Sequence, residues 1–540
     1  MSYLFASRKT IVAGVLAMLF VLAMVQFKIF YSKAPSNLLS YGIIQDYTES
    51  RTAQVEDYPV LQPRQSSLEH LGHFSGSEET LTHMQMENIV RDLRNFLVSS
   101  FHSSLAETSN EKAAAVISKS REFLRVLEAK LNISKALSGL QRRVDAKLKA
   151  LQNHVQRTIH ALQHPSDCKK APKLLCTLDN PWGFAAGMHD VLWCFVAALR
   201  MGRTVILDSS KWHHAPGDDW SKMFAPVTGE TCVNVSLADA VTGYPGYDSA
   251  PKERAKILEM PSAIAGTLLS NHGTPYAWWY GQIMAYVLRL QDSTQEKIDE
   301  FKRVHGFEHP IVAVHIRQTD KKKEAAYHGT EQYMSHVEEF YLKLSLTRPV
   351  TKRRVFVATD EPEVIAELKA RFPKYTFIYD KGSVEEAHDP RARTLSSALF
   401  GIVRDVYLLA ESDFLVCTFS SGFCRIAFEL MQTLHTDATP HAVSVDVDYF
   451  YGYVPFPPRR ALFRNRAHLP DELSFDVGQL IEKPEALSAL KEAKHKDFCD
   501  GYQRGRIVGS TEAGEYPTYK TAQTYNVVKY AAFNDTEAYG

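Results

Sequence analysis

The pattern of apolar and polar positions divides this chain of 540 residues into three kinds of region. Between residues 82 and 163, apolar residues recur at helical spacing with no proline and a single glycine, which predicts amphipathic helices. After Pro310, short β-branched runs alternate with helical stretches, which predicts a doubly wound parallel sheet. From about Pro458, short strands and turns predict a small β-barrel.

Four strands and three intervening helices are predicted in the sheet region. The strands are Ile311–Ile316, Arg354–Thr359, Tyr375–Tyr379 and Phe414–Thr418, and the helices are Tyr333–Leu346, Pro362–Arg371 and Leu395–Glu411. Upstream, the chain predicts a helix followed by a buried strand over Phe195–Leu207, and an aromatic-rich helix within Ser270–Leu290. The apolar stripe of the 82–163 region must be buried against either the rest of the chain or a partner chain.

The composition and charge of the chain are those of an ordinary globular protein. Apolar residues make up 45% and charged residues 23%, and the length predicts two to four domains. Acidic and basic residues number 62 each, so no net positive field favours nucleic acid, and we expect no nucleic-acid partner. Any basic site must therefore be local.

An apolar run near the N-terminus predicts attachment to a membrane. Ile11–Val25 is apolar or small throughout and extends to Phe30, after Arg8 and Lys9, which gives about 20 residues, enough to span a bilayer. We interpret residues 1–10 as a cytosolic tail, 11–30 as a signal anchor and 31–79 as a flexible stem in the lumen. A cleaved signal peptide is the alternative.

Cysteine usage agrees with an oxidising lumen. Six of the seven cysteines fall within Cys168–Cys424, and no CxxC or Cys/His spacing suggests zinc, so disulfides are expected. Three N-glycosylation sequons add modest support, at Asn132, Asn234 and Asn534.

The segment 311–328, IVAVHIRQTDKKKEAAYH, carries the densest chemistry. A β-branched run ends in a cluster of cations with two carboxylates, and ligands bind at the carboxyl ends of strands in open α/β sheets. Arg and Lys suit phosphate, and a carboxylate among them is a candidate general base. A solvated charged loop is the alternative. The cluster comprises His315, Arg317, Asp320, Lys321, Lys322, Lys323 and Glu324.

Two further strand ends carry suitable side chains. Asp360-Glu361 follows the second strand and suits a ribose hydroxyl or a guanine N–H edge; capping of the next helix is an equal and compatible interpretation. Thr418–Gly422 offers hydroxyls and a glycine at a helix start, which suits an anion, or else caps that helix. Asp446-Val-Asp448 has the DxD form of metal-bound nucleotide sugars, but an acidic turn is the better interpretation. No GxGxxG or GxxxxGK[ST] motif is present.

These residues resemble the core α1,6-fucosyltransferases, Golgi type II enzymes that move fucose from GDP-fucose to the innermost GlcNAc of N-glycans. The resemblance runs from about residue 80 to 530. It is carried by HIRQTDKKKEAAYH, VFVATDEPE, SDFLVCTFSSGFCRIAFELMQTLH and the Trp278-Trp279 pair.

The resemblance implies an α/β enzyme with an inverting mechanism that needs neither a metal nor another cofactor. It also implies a homodimer on the lumenal side of the Golgi membrane. The implied domains are a helical dimerisation region (80–163), an open α/β catalytic subdomain (164–305), a Rossmann-like GDP-fucose-binding subdomain (306–455), an SH3-like β-barrel (456–524) and a tail (525–540).

The resemblance also implies roles for individual residues. Glu324 would deprotonate the GlcNAc 6-hydroxyl, with Lys321, Asp320 and Ser421 completing the catalytic set. Arg317 would bind the diphosphate. The donor site would also be lined by His315, Asp320, Tyr333, Asp360 and Asp405. The implied disulfides are Cys168–Cys232, Cys176–Cys194 and Cys417–Cys424.

The chain departs from the family pattern at several positions, which raises a second hypothesis. Gln318 stands where the family has a second arginine, and the spacer before Glu324 is one residue shorter. A diverged, non-catalytic glycan-binding or scaffold member is therefore the alternative function. The other departures are Glu361 for an aspartate, Gly422 for a glutamine, LDNPWGFAAG in place of a close cysteine pair near residue 180, and Cys499 at an aromatic position.

Overall fold

A computed structural model describes most of the chain from Glu78 onward, all of it within one compact unit, Gln65–Gly540. The predicted cytosolic tail, the anchor and nearly all of the stem lie outside the described residues, as do Asp320, Lys321, Glu324 and Cys499. The described residues are 78–105, 111–179, 181–214, 220–232, 235–237, 240–242, 255–319, 326–389, 391–392, 395–451, 454, 457–482 and 501–533.

Three long helices form the first described region. They are α1 (Glu78–Leu105), α2 (Glu111–Leu137) and α3 (Leu140–Gln163), so the prediction of helices here is confirmed. Helix α3 follows the expected pattern closely, because its apolar residues at three- and four-residue spacing form one buried stripe. The stripe comprises Leu140, Val144, Leu148, Leu151, Val155 and Ile159.

The region from Cys168 to His305 is mainly helical around small parallel strand pairs. Strands β1 (Lys173–Thr177) and β2 (Thr204–Asp208) pair in parallel, and β3 (Glu259–Pro261) lies apart from them. The predicted aromatic-rich helix is α7 (Pro275–Val287), and its Trp278, Trp279 and Tyr280 are buried. The helices are α4 (Phe184–Met201), α5 (Trp220–Met223), α6 (Ser262–Asn271), α7 (Pro275–Val287) and α8 (Asp292–His305).

Helix α4 is the one helix among the described residues that is long and apolar enough to cross a membrane by length and composition. Two thirds of it (67%) is buried within the protein, as in a core helix.

A five-stranded parallel sheet forms the centre of the second half. Its order is β6-β5-β4-β7-β8, and helices connect successive strands, so the predicted doubly wound parallel sheet is confirmed. The first two predicted strands match to the residue, and the next two are shorter than predicted. The strands are β4 (Ile311–Ile316), β5 (Arg354–Thr359), β6 (Thr376–Ile378), β7 (Phe414–Cys417) and β8 (Ala442–Ser444).

Both faces of this sheet are buried, as the apolar runs predict. One face packs against α9 (Thr330–Ser345) and α10 (Pro362–Arg371) through residues such as Val312 and Val314. The other face packs with α12 (Ser396–Glu411) and α13 (Gly422–Leu434) through Ile311 and Ala313. Helix α11 (Lys381–His388) follows β6.

The C-terminal region forms a five-stranded antiparallel sheet, as the prediction of short strands requires. Its order is β12-β11-β10-β9-β13, and its core includes Phe475, Ile481 and Tyr516. Two edge strands, β12 and β13, are not paired with each other among the described residues. The strands are β9 (Arg459–Ala461), β10 (Leu480–Glu482), β11 (Tyr502–Ile507), β12 (Ala513–Pro517) and β13 (Thr521–Gln523).

The segment predicted as a tail from residue 525 is part of the folded body over its described residues, 525–533. Strand β14 (Asn526–Val528) pairs in parallel with β3, and Tyr530 and Phe533 are buried. The strand reads Asn-Val-Val and is too short for an alternating pattern to predict it.

Three disulfides join the cysteine pairs that the family resemblance implies: Cys168–Cys232, Cys176–Cys194 and Cys417–Cys424. The last connects the end of β7 to the first turn of α13. It therefore closes the loop that carries Thr418–Ser421.

Candidate functional site

The strand order creates a crevice at the carboxyl edge of the parallel sheet. β4 lies between β5 and β7. After β4, the chain continues into α9 on one face of the sheet. After β7, it continues into α13 on the opposite face. Because neighbouring strands send their helices to opposite faces, the loops separate at this point and leave room for a ligand. The sequence-predicted residues His315, Arg317 and Ser421 follow these two strands.

Asp360, at the end of β5, holds the loop that follows β4. Its Oδ1 accepts a hydrogen bond from the Gln318 backbone N–H at 2.9 Å, and its Oδ2 accepts one from the Thr319 hydroxyl. The alternative that these acids cap α10 is wrong, since Glu361 occupies the N-cap position without a side-chain capping bond. Asp360 is buried, and both of its oxygens serve the β4 loop.

The side chain of Gln318 joins the two ends of the loop between β4 and α9. Its Nε2 donates to the backbone oxygen of His328 at 3.1 Å, and Gln318 is 6% exposed. The residue at the position of a second family arginine is therefore used inside the fold. Sequence reasoning did not find this bond, because it depends on which residue ten positions later returns to the strand end.

The loop after β7 is fixed by residues that follow β8. The Phe419 N–H donates to Ser444 Oγ at 3.0 Å, and the Ser420 N–H lies 3.4 Å from Asp446 Oδ1. Asp446 Oδ1 also accepts from Ser444 Oγ at 2.8 Å and from the Val447 N–H at 2.6 Å. These bonds match the acidic turn that we preferred over a metal-binding DxD motif.

The N-terminus of α13 presents polar groups that the fold leaves available. Ser421 is the N-cap residue, but its side chain makes no capping bond. Ser420 Oγ and Arg425 Nε are buried without a hydrogen-bond partner among the described residues, while Arg425 Nη1 donates to Phe419 O at 2.7 Å. The alternative that these serines only cap the helix therefore does not account for their hydroxyls.

His315 and Tyr333 line the crevice from β4 and α9. The His315 ring stacks on Phe423 of α13 with ring centroids 5.0 Å apart, which connects the two sides of the crevice. Tyr333 is 1% exposed, and its hydroxyl hydrogen-bonds with Thr418. Burial raises the pKa of the Tyr333 phenol, with Asp446 adding to the effect, so the hydroxyl stays protonated and can donate.

Asp405 lies apart from this cluster, against Arg404 on α12. Arg404 donates to Asp405 Oδ1 from Nη2 at 2.8 Å and also contacts Asp380, just after β6. Burial raises the pKa of Asp405 to about 6, against the lowering effect of Arg404. No bond among the described residues joins Asp405 to Asp360 or to the β4 loop.

Gly422 permits a close approach between α13 and α4. A Cβ at position 422 would lie 3.1 Å from the Ala185 Cβ, tighter than ordinary packing. The N-terminal turn of α4 therefore forms a wall of the crevice beside Ser421. The sequence analysis did not predict this wall, although a glycine at the start of a helix can indicate that another element packs closely against it.

A family model described as alpha-(1,6)-fucosyltransferase N- and catalytic domains matches residues 32–451. The chain belongs to this family. An alpha-(1,6)-fucosyltransferase of Drosophila melanogaster is 35% identical over 391 residues, which are 70% of this chain and 61% of the relative. One of Caenorhabditis elegans is 27% identical over 411 residues, covering 72% and 70% of the two chains. The chain thus spans about three fifths of the Drosophila relative's length.

The matching solved structures are more distant in sequence. NodZ alpha-1,6-fucosyltransferase, solved after soaking with GDP-fucose, has a TM-score of 0.28 and 15% identity over 48% of this chain and 93% of its own. Arabidopsis thaliana FUT1 in complex with GDP has a TM-score of 0.32 and 11% identity, covering 54% and 75%.

The family match includes every predicted site residue and ends before the antiparallel C-terminal sheet. Within the described part of the chain, no group of three or more His, Cys, Asp or Glu side chains could hold a metal ion. Among the described residues, the positive groups beside the crevice include Arg317, Arg425 and the N–H groups that begin α13.

Proposed function

We propose that this protein transfers fucose from GDP-fucose, in α1,6 linkage, to the innermost GlcNAc of N-glycans, with inversion at fucose C1. The observation that carries the proposal is the family match over residues 32–451, which contains the whole carboxyl-edge crevice. We infer that the enzyme acts in the Golgi lumen, anchored by residues 11–30.

In this proposal, the diphosphate of GDP-fucose lies between Arg317 and the start of α13. The exposed N–H groups of a helix N-terminus attract anions, and a guanidinium binds phosphate oxygens in pairs. Ser420 Oγ, which is buried and unpartnered among the described residues, supplies a further donor. No metal ion is required, because these groups offset the charge of the leaving GDP.

The remaining donor-site residues act in two ways. His315 and Tyr333 contact the nucleotide, Tyr333 as a hydrogen-bond donor. Asp360 acts through the β4 loop, since both of its oxygens bind that loop. Asp405 takes part only through Arg404 and the groups after β6.

The chemical step uses residues of the loop between β4 and α9. Glu324 removes the proton from the GlcNAc 6-hydroxyl as that oxygen attacks fucose C1 from the face opposite the phosphate. The new C–O bond forms as the bond between C1 and the phosphate oxygen breaks, and GDP leaves with the electron pair. Lys321, Asp320 and Ser421 assist by holding the acceptor and Glu324.

The same proposal includes a homodimer through the helical region. On α2 the exposed apolar residues Phe123, Val126, Ile133 and Leu137 have the spacing of alternating heptad positions, with Lys130 between them. Leu137 is 83% exposed and Phe123 is 67% exposed. A second copy of the chain would bury this stripe. We further propose that the antiparallel C-terminal sheet is SH3-like.

A fucosyl-transfer assay with GDP-fucose and a GlcNAc-terminated N-glycan tests the proposal. We expect a product with fucose on the 6-hydroxyl of the innermost GlcNAc, and no product from Glu324→Gln. Glu385→Gln is the control, since Glu385 is an exposed glutamate on α11. An active Glu324→Gln variant would show that another group is the base.

The alternative, a non-catalytic glycan-binding or scaffold protein, is favoured by one observation. Gln318 uses its side chain on the His328 carbonyl, which leaves this position without a cation for the diphosphate. Intact N-glycan binding without GDP-fucose binding or product formation would support this alternative over the enzyme.

A further inference from the structure

His328 lies at the carboxyl edge of the sheet, directly before α9, and is 6% exposed. Its backbone oxygen accepts the bond from Gln318, whose own N–H is bound to Asp360. These two bonds hold His328 next to the ends of β4 and β5. Its ring Nε2 is buried and has no hydrogen-bond partner among the described residues.

The hydrogen bonds around Gln332 determine which ring nitrogen of His328 carries the proton. Gln332 Oε1 accepts the Gly329 N–H at 3.0 Å, so this atom must be the amide oxygen and not the nitrogen. His328 Nδ1 lies 3.2 Å from the same oxygen. An oxygen cannot donate here, so Nδ1 carries the hydrogen and donates it.

In the neutral form of the ring, the lone pair therefore lies on Nε2. A buried acceptor without a partner is costly, and such groups in native proteins require an explanation. Ser420 Oγ, which follows β7, is likewise buried and unpartnered within the described chain. Each of these two atoms, one beside the end of β4 and one after β7, is therefore available to a ligand in the crevice.

We propose that His328 is a substrate-binding residue whose Nε2 accepts a hydrogen bond from a sugar hydroxyl in the crevice. The inference rests on the proposed function, because it takes the ligand to be the fucose of the donor or the GlcNAc of the acceptor. Gln332 acts as a positioning residue, since it holds the Nδ1–H form of the ring. A sugar hydroxyl fits because it donates to a neutral nitrogen, whereas an unprotonated phosphate oxygen cannot.

The matched pair His328→Asn and His328→Gln separates the two ring nitrogens. The Asn amide nitrogen takes the place of Nδ1 and keeps the donor to Gln332, but it has nothing at the position of Nε2. The Gln side chain reaches the position of Nε2 and loses the bond to Gln332. Both variants keep the backbone oxygen that Gln318 binds.

We expect His328→Asn to lower kcat/KM by roughly 10- to 100-fold, the loss typical of one hydrogen bond to substrate, with an unchanged thermal midpoint. His328→Gln should recover part of that loss. Calorimetry and steady-state kinetics together show which sugar carries the hydroxyl that Nε2 binds. Weaker binding of GDP-fucose with unchanged GDP binding assigns it to fucose, and a raised KM for the glycan alone assigns it to GlcNAc.

Equal kinetics and equal ligand binding for wild type and His328→Asn would overturn the proposal, because they would show that Nε2, the nitrogen that the Asn variant lacks, contacts no substrate. Failure of the proposed function is distinguishable, since the wild-type protein itself would then form no product. In that case GDP-fucose and glycan binding by the two variants still tests Nε2.

Discussion

Arg125 of α2 holds Glu339 of α9 through two parallel hydrogen bonds, Nε to Oε1 at 2.8 Å and Nη2 to Oε2 at 3.0 Å. Both side chains are buried, and Arg121 donates to the same carboxylate at 2.8 Å. The helical region is therefore attached to the domain that carries the crevice. The sequence left two possible surfaces for the helices to pack against, the rest of the chain or a second chain, and the first of these is used.

Removal of one side of this buried pair should be strongly destabilising. Arg125→Ala leaves Glu339 buried with Arg121 alone, and we expect a loss of about 3–5 kcal/mol in the free energy of unfolding. Urea denaturation measures it. Arg303→Ala, which breaks an exposed pair with Glu300 on α8, should change the free energy of unfolding far less, because solvent screens exposed charges. Equal losses for the two variants would contradict the stabilising role of the Arg125–Glu339 pair.

Much of the fold follows from the sequence because burial on both faces leaves a clear pattern. β4 and β5 are mainly apolar and buried over six residues each, so their bounds match the prediction. β14 is three residues long and pairs with β3, more than 260 positions earlier, so no local pattern indicates it.

The site was predictable as a set of strand ends but not as a set of bonds. The carboxyl-end rule brings Arg317, Asp360 and Ser421 to one edge. The use of Asp360 by the β4 loop depends on register across 42 residues, which sequence spacing does not contain. For the same reason the sequence gives no indication that Gln318 reaches the His328 carbonyl, or that Asp405 pairs with Arg404.

The exposed stripe on α2 should control the oligomeric state. Ile133→Lys together with Leu137→Lys places two charges at alternating heptad positions, so we expect the dimer to dissociate into monomers. Light scattering coupled to size exclusion measures the mass. Val304→Lys is the control, because Val304 on α8 lies outside the stripe and its exposed fraction, 58%, falls between those of Ile133 and Leu137. A dimeric double variant would show that another surface joins the copies.

Arg317 should contribute to the affinity for the diphosphate and not for the sugar. We expect Arg317→Ala to weaken GDP and GDP-fucose binding to the same degree, by about 1.5–3 kcal/mol for a charge-assisted bond, which is roughly 10- to 100-fold. Isothermal calorimetry measures both ligands.

The control for Arg317 is Lys381→Ala, which removes an exposed cation that follows β6. An equal loss for Lys381→Ala would mean that general charge, and not contact with Arg317, attracts the nucleotide. A loss confined to GDP-fucose would place Arg317 against the sugar.

His214 should make the folded state sensitive to mild acid. The ring is 1% exposed, packs near Trp212 and Phe184, and has neither nitrogen hydrogen-bonded among the described residues. Burial lowers the pKa of His214 from 6.5 to about 4, and the neighbouring His213 adds to this. Between these values the unfolded chain binds the extra proton, so stability is complete above pH 6.5 and falls as the pH drops towards 4.

At 1.36 kcal/mol per pKa unit, this group alone costs about 3 kcal/mol between pH 6.5 and pH 4. His214→Phe keeps an aromatic ring of similar size and sacrifices no hydrogen bond, so urea unfolding of the variant should lose about that much less stability on acidification. His468→Phe, at an exposed position, should follow the wild-type curve. A His214→Phe curve parallel to wild type would mean that the ring is solvated or already charged in the folded protein.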